Sequence, residues 1–258
     1  MTQEMTQEMT QEIYITDTLK LKDNRMYMSD IPMTPLNWHH KLSDIGWTKM
    51  PRQWIMHLNT LSTCPFKNSQ YGVLDCPEDG DCFFHCIANA LQCKSNYMEH
   101  YESQDIREMI CDDLSQETYE ILMDVYKSMK DSGDFQEQWD PYEIQDISDF
   151  KRVVIQGGHS YWGDHLLLQI LCERLQINLK ILTYLSPDYL RDIDDDCRPN
   201  VSIYPMMLPE ITYYDTIILL HVNECHFKLV GHFDGEKMCS YFTNDTVPSE
   251  INVLYKDA

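Results

Sequence analysis

At 258 residues, 43% hydrophobic and with five Trp, the chain has enough apolar mass for one packed domain with extensions, and too much for a disordered polymer. Its 20 basic and 42 acidic residues give a formal charge of −22, which opposes nucleic acid and anionic membranes and suits a basic protein partner, or solubility alone. No basic-then-apolar leader and no run of about 18 apolar residues occurs, so a soluble monomer in the reducing cytoplasm is expected.

Residues 1–12 repeat Met-Thr-Gln-Glu three times, without a stable apolar face, and read as a disordered tail. Residues 13–64 mix Trp38, Trp47 and Trp54 with Pro32, Pro35 and Pro51. That is too aromatic for a linker, and an N-terminal extension packed on the domain is expected. The informative stretch follows, from Pro77-Glu78-Asp79-Gly80-Asp81 into Cys82-Phe83-Phe84-His85-Cys86. An acidic, glycine-bearing loop meets a cysteine where an apolar helix begins, and Phe83, Ile87, Ala90 and Leu91 share one helical face. Helix N-termini stabilise thiolates, so the pattern reads as a prepared nucleophile. Gly80 lets the loop turn sharply, aiming backbone N–H groups at one spot beside the sulfur.

Helices are expected at 103–114, with Ile106, Met109, Ile110 and Leu114 on one face, and at 116–130, with Tyr119, Leu122, Met123 and Tyr126. Asp140-Pro141 signals the start of a further short helix, and Gly157-Gly158 marks a loop. Residues 165–175 read as helix and 177–184 as strand. Residues 186–213, with four prolines and the run Asp194-Asp195-Asp196, read as surface loop with room for one short strand. The apolar run 216–222 suits a central buried strand. The turn Asn223-Glu224-Cys225 leads to a strand at 226–230 headed by His226, a candidate general base. Residues 236–258 are expected to add an edge strand near 238–242 and then a loose end. The sum is an α+β fold, a central mixed sheet flanked by helices.

Ten cysteines are present. Cys76, Cys82, His85 and Cys86 cluster, but no C-x-x-C occurs, so no metal site and no cofactor are expected. Cys86, Cys93, Cys111 and Cys172 sit in apolar helical patterns and read as core.

Asp79-Gly80-Asp81-Cys82-Phe83-Phe84 resembles the nucleophile motif of the ovarian tumour (OTU) cysteine-protease deubiquitinases. Tyr161-Trp162-Gly163-Asp164-His165-Leu166 resembles that family's Trp-Gly segment, and His226-Phe227 its catalytic histidine with a following aromatic. The likeness spans roughly residues 70 to 232. It implies a papain-like, OTU-type catalytic domain at 65–235 with a C-terminal extension at 236–258. Cys82 would be the nucleophile and His226 the base. Asp79 would organise the oxyanion loop by accepting backbone hydrogen bonds, and N–H groups around Gly80, Asp81 and Cys82 would hold the oxyanion. Trp162 and Gly163 would wall the cleft. The implied partner is ubiquitin, polyubiquitin or a ubiquitin-like protein, and the implied reaction is isopeptide hydrolysis. An inactive ubiquitin-binding module and an unrelated cysteine hydrolase are the alternatives.

The resemblance departs at one position. Many relatives carry Asp or Asn two residues after the histidine, where this chain has Lys228, which cannot accept a hydrogen bond. Glu224, two residues before His226 and on its face if strand geometry extends that far, is the favoured group to orient the imidazole, with Asn223 through a turn next and a backbone carbonyl as a further alternative. His221 competes with His226 but lies within the apolar run. His85 reads as capping or packing, His159 as loop and His165 as near a helix start.

Overall fold

The computed structural model describes residues 12–63, 70–135, 137–163, 165–193, 202–206 and 213–256. The repeat tail, save Glu12, and the acidic run at 194–196 lie outside the described residues. An antiparallel meander of β1 (Glu12–Tyr14), β2 (Leu19–Lys22), β3 (Arg25–Met28) and β4 (Ile31–Pro32) comes first. Next are α1 (Trp38–Lys41), β5 (Trp47–Lys49), α2 (Arg52–Leu61) and β6 (Tyr71–Leu74). A helical block follows: α3 (Cys82–Lys94), α4 (Ser103–Asp113), α5 (Gln116–Ser132), α6 (Ile147–Gln156) and α7 (His165–Leu175). The remainder is β7 (Ile177–Tyr184), α8 (Pro187–Asp192), β8 (Ile203–Met206), β9 (Asp215–Val222), β10 (His226–Phe233), β11 (Met238–Cys239), β12 (Tyr241–Thr243) and α9 (Ser249–Lys256).

The main sheet runs β5-β6-β10-β9-β7-β8, with β11 on β10 and β12 on β9. Strands β7 and β9 are parallel and the other pairs antiparallel, which makes the sheet mixed. Strand β9 lies inside it, and its unbroken apolar run follows from burial on both faces. Ile217 and Leu219 point into the core formed with α3, α4 and α7. Ile218 and Leu220 point the other way, to Trp54 and Leu58 of α2 and Ile251 and Leu254 of α9. The fold is therefore α+β, helices on both sides of a mixed sheet. Among the described residues no helix is long and apolar enough to cross a membrane.

Residues 13–63 contribute side chains to this core and a strand to its sheet. Leu19, Leu21, Met26 and Trp38 are buried in the same cluster as the α3 face, and β5 pairs with β6 in the main sheet. Gly72 is required there, because a Cβ would stand 2.9 Å from the Trp38 ring.

Two sequence expectations are corrected. Asp140 starts a turn, its carboxylate accepting from Tyr142 N at 3.0 Å. The helix waits until Asp146, whose side chain accepts from Ser148 N and Asp149 N, a stronger cap because it satisfies two orphan donors. The C-terminus is no loose end. Helix α9 buries Ile251 and Leu254, and Tyr71 Oη donates to Glu250 at 2.8 Å. Its apolar spacing was masked by short length and a polar composition. Ile251→Ala is accordingly expected to destabilise the protein by about 2–5 kcal/mol, read as a lowered urea midpoint. An unchanged midpoint would mean that α9 contributes nothing to the core.

Candidate active site

Cys82 is the first residue of α3 and half-buried, and the helix is anchored by Phe83, Phe84, Cys86 and Ile87, all buried. The sulfur is thus placed by core packing. Strand β10 meets it from the other side. Phe227 N donates to Cys82 Sγ at 3.5 Å, and the Phe227 ring packs edge-on against Phe83. His226, the preceding residue, therefore sits next to the sulfur, and both line one cleft of about 530 Å³. Burial pushes the Cys82 thiol above its ordinary value, while the N–H groups of Phe227 and Phe83 pull it down and Cys76 and Asp79 raise it. Burial thus works against the prepared thiolate expected from the helix N-terminus, and the two backbone N–H groups work for it.

The loop before the cysteine is held by its own aspartates. Asp79 Oδ1 accepts from Asp81 N at 2.9 Å, and Asp79 Oδ2 lies 3.2 Å from His85 Nε2. Burial raises the Asp79 carboxyl, but the Asp81 N–H and then His85 outweigh it, leaving it below the ordinary range. Because the Asp81 N–H is engaged, the N–H groups of Gly80 and Cys82 remain as the loop's donors. Gly80 has φ +93°, and a Cβ there would stand 2.3 Å from the Gly158 carbonyl carbon. No other residue fits. Gly163 is likewise confined, a Cβ falling 2.5 Å from the Phe83 ring. Trp162 is exposed at the cleft, its N–H donating to Glu137 at 3.1 Å.

Sequence reading missed Arg107. It is fully buried on α4, ion-paired with Asp81. It also donates from Nη1 to Val154 O at 2.6 Å and from Nη2 to Tyr161 O at 2.8 Å. Its guanidinium lies 3.9 Å over the Phe84 ring. Asp81 in turn accepts from Gly158 N at 2.9 Å and from Ser103 Oγ at 3.3 Å. One ion pair therefore joins the cysteine loop to the loop carrying Trp162. The signal was present: Arg107 stands four residues before Cys111 and seven before Leu114, a lone cation inside a buried stripe.

The imidazole's surroundings were also misjudged. Asn223 and Glu224 both have positive φ and with Cys225 form the three-residue turn of the β9–β10 hairpin, so strand geometry does not extend back to Glu224. Its carboxylate accepts from Tyr189 Oη at 3.1 Å and Tyr204 Oη at 3.5 Å. Asn223 Oδ1 accepts from Ser186 N at 2.8 Å. These side chains brace the turn. The acid beside His226 is Asp75, just past the end of β6, with Oδ1 3.5 Å from His226 Nε2 and 2.9 Å from Lys228 Nζ. Burial raises the Asp75 carboxyl, and Lys228 and then His226 more than offset this, leaving it below the ordinary range. His221 stacks on Phe227 at 4.4 Å, and desolvation lowers its pKa.

A sequence profile of the OTU-like cysteine proteases matches residues 77–233. That is more than half of the chain, and it contains Cys82, Trp162 and His226. The chain belongs to the OTU-like cysteine protease family. No curated protein sequence is significantly similar to it. Among solved structures it is similar to an OTU deubiquitinase from Wolbachia pipientis wMel bound to ubiquitin, at 14% identity and TM-score 0.37, covering 65% of this chain and 99% of that one. The Hazara virus OTU bound to ubiquitin is 10% identical at TM-score 0.32, covering 86% of this chain and 95% of that one. The Qalyub virus OTU protease is 19% identical at TM-score 0.34, covering 62% and 83%.

Two outcomes are expected. Arg107→Met leaves Asp81 without its cation and should cost about 3–5 kcal/mol of stability, measured by chemical denaturation. A loss under 1 kcal/mol would show that the two loops hold without it. Alkylation of Cys82 by iodoacetamide should climb with pH through and past about 8.5, the ordinary cysteine value. A rate already at its plateau at neutral pH would mean a resting thiolate.

Proposed function

We propose that the protein is a deubiquitinase, hydrolysing the isopeptide or peptide bond at the C-terminus of ubiquitin or a ubiquitin-like protein. The observation that carries this reading is the meeting of Cys82 with the His226-Phe227 strand end at one cleft, in a chain of the OTU-like cysteine protease family. His226 Nε2 is turned to Asp75, which leaves Nδ1 for the sulfur. In this mechanism His226 withdraws the thiol proton as Cys82 Sγ attacks the carbonyl carbon. The developing oxyanion is met by the Gly80 and Cys82 N–H groups. Collapse expels the lysine amine, which takes the proton from His226 and leaves a thioester. Water, deprotonated by His226, then releases the carboxylate and regenerates the thiol. The formal charge of −22, with Glu78, Asp134 and Glu137 at the cleft, favours a basic substrate surface.

An inactive ubiquitin-binding module is the second reading. The buried His226 Nε2 has no hydrogen-bond partner, and a base without an orienting partner is a poor one. Ubiquitin bearing a C-terminal thiol-reactive group separates the two. A covalent adduct on the wild-type chain and none on Cys82→Ala is expected. Binding without an adduct, while iodoacetamide still labels Cys82, would favour the module.

A further inference from the structure

Lys228, ion-paired with Asp75, has no part in the proposed mechanism. Strands β6 and β10 are antiparallel with Leu74 opposite Leu229, so the next positions place Asp75 opposite Lys228. His226, two residues before Lys228, points to the same side of the sheet. One carboxylate oxygen thus faces both cations. The ammonium is at 2.9 Å, hydrogen-bond range, whereas the imidazole nitrogen is at 3.5 Å. His226 Nε2 is buried and unpartnered. A buried imidazole N–H one step from a carboxylate stays unpaired only if something else holds that carboxylate.

We propose that Lys228 is a positioning residue acting as a brake: it holds Asp75 off His226, and the imidazole gains its orienting carboxylate when the ammonium is displaced or removed. This rests on the reading of Cys82 and His226 as the catalytic pair. It also supplies a physical role for the lysine that stands where a hydrogen-bond acceptor was expected. The other charged or titratable groups around His226 are Cys82 on α3, Glu78 in the cysteine loop, His221 on β9 and Glu224 in the hairpin turn. Of the acids, Glu224 is engaged by the two tyrosines, and Asp75 is the one within 4 Å of His226 in a described ion pair.

The test uses the full chain as Lys228→Met, Lys228→Gln, Asp75→Asn, and Lys228→Met combined with Asp75→Asn. The readouts are turnover of a ubiquitin C-terminal amide and the pH profile of Cys82 alkylation. Lys228→Met is expected to raise kcat about 2- to 10-fold, the worth of one net hydrogen bond, with KM unchanged. It should also move the alkylation profile to lower pH. Loss of a cation alone would move it to higher pH, so the downward shift reports Asp75 reaching the imidazole. Both effects should vanish in the double variant. Lys228→Gln, one atom shorter and uncharged, is expected to give the same result if Lys228→Met folds poorly. A folded Lys228→Met or Lys228→Gln with lower kcat would overturn the proposal, making Lys228 an anchor for Asp75. So would a gain that persists without Asp75. If His226→Ala leaves the wild-type alkylation profile unchanged, the catalytic pair itself fails, and the brake with it.

Discussion

The geometry of the cleft depends on one buried charge pair. Arg107 has no access to solvent, and a guanidinium so placed is tolerable only if its donors are met by fixed acceptors. Asp81, Val154 O and Tyr161 O meet those of its two terminal nitrogens, and only Nε is left without a partner. These three come from the cysteine loop, the end of α6 and the loop carrying Trp162, so the pair closes only when all have folded together. Desolvating two charges is costly and gains little net stability. What it does gain is placement: Asp81 is the residue immediately before Cys82, and fixing its position fixes where α3 begins.

The two halves of the site are built on different physics. The cysteine side is a polar loop pinned by carboxylates, in which Asp79 and Asp81 each take backbone N–H groups and Gly80 fills a gap too small for any side chain. The histidine side is a hairpin whose strands are buried on both faces, with its turn braced by Asn223 to Ser186 and by Glu224 to two tyrosines. The halves touch through Phe83 and Phe227, and through the hydrogen bond from a backbone N–H to the sulfur. Rigid apolar packing sets the distance, and polar groups set the chemistry.

Much of this was legible in the chain. Helical stripes gave α3, α4 and α5, since their apolar faces are long and regular. The unbroken run of β9 pointed to an interior strand. Cys82 and His226 were visible because loop chemistry and strand onset punctuate them. What stayed hidden was long-range. Arg107 meets Asp81 from 26 positions away, and in a helix an arginine ordinarily reads as surface. Asp75 precedes His226 by 151 positions, and only the β6–β10 register brings them level. Glu224 looked close because sequence neighbours were counted as strand, whereas two left-handed residues reset the alternation. Helix α9 was lost to its brevity.

The three-residue turn between β9 and β10 also constrains this protein's length at one point. Alternation along a strand has period two, so a one-residue slip of β10 against its neighbours would turn the histidine to the opposite face of the sheet. Most surface connections in a fold can grow or shrink freely over evolutionary time. This one is tied down by braces from Ser186, Tyr189 and Tyr204 to Asn223 and Glu224, so a change in its length would break contacts that hold the histidine strand in place. The hairpin tip is therefore a tightly constrained loop, although it lies at the surface.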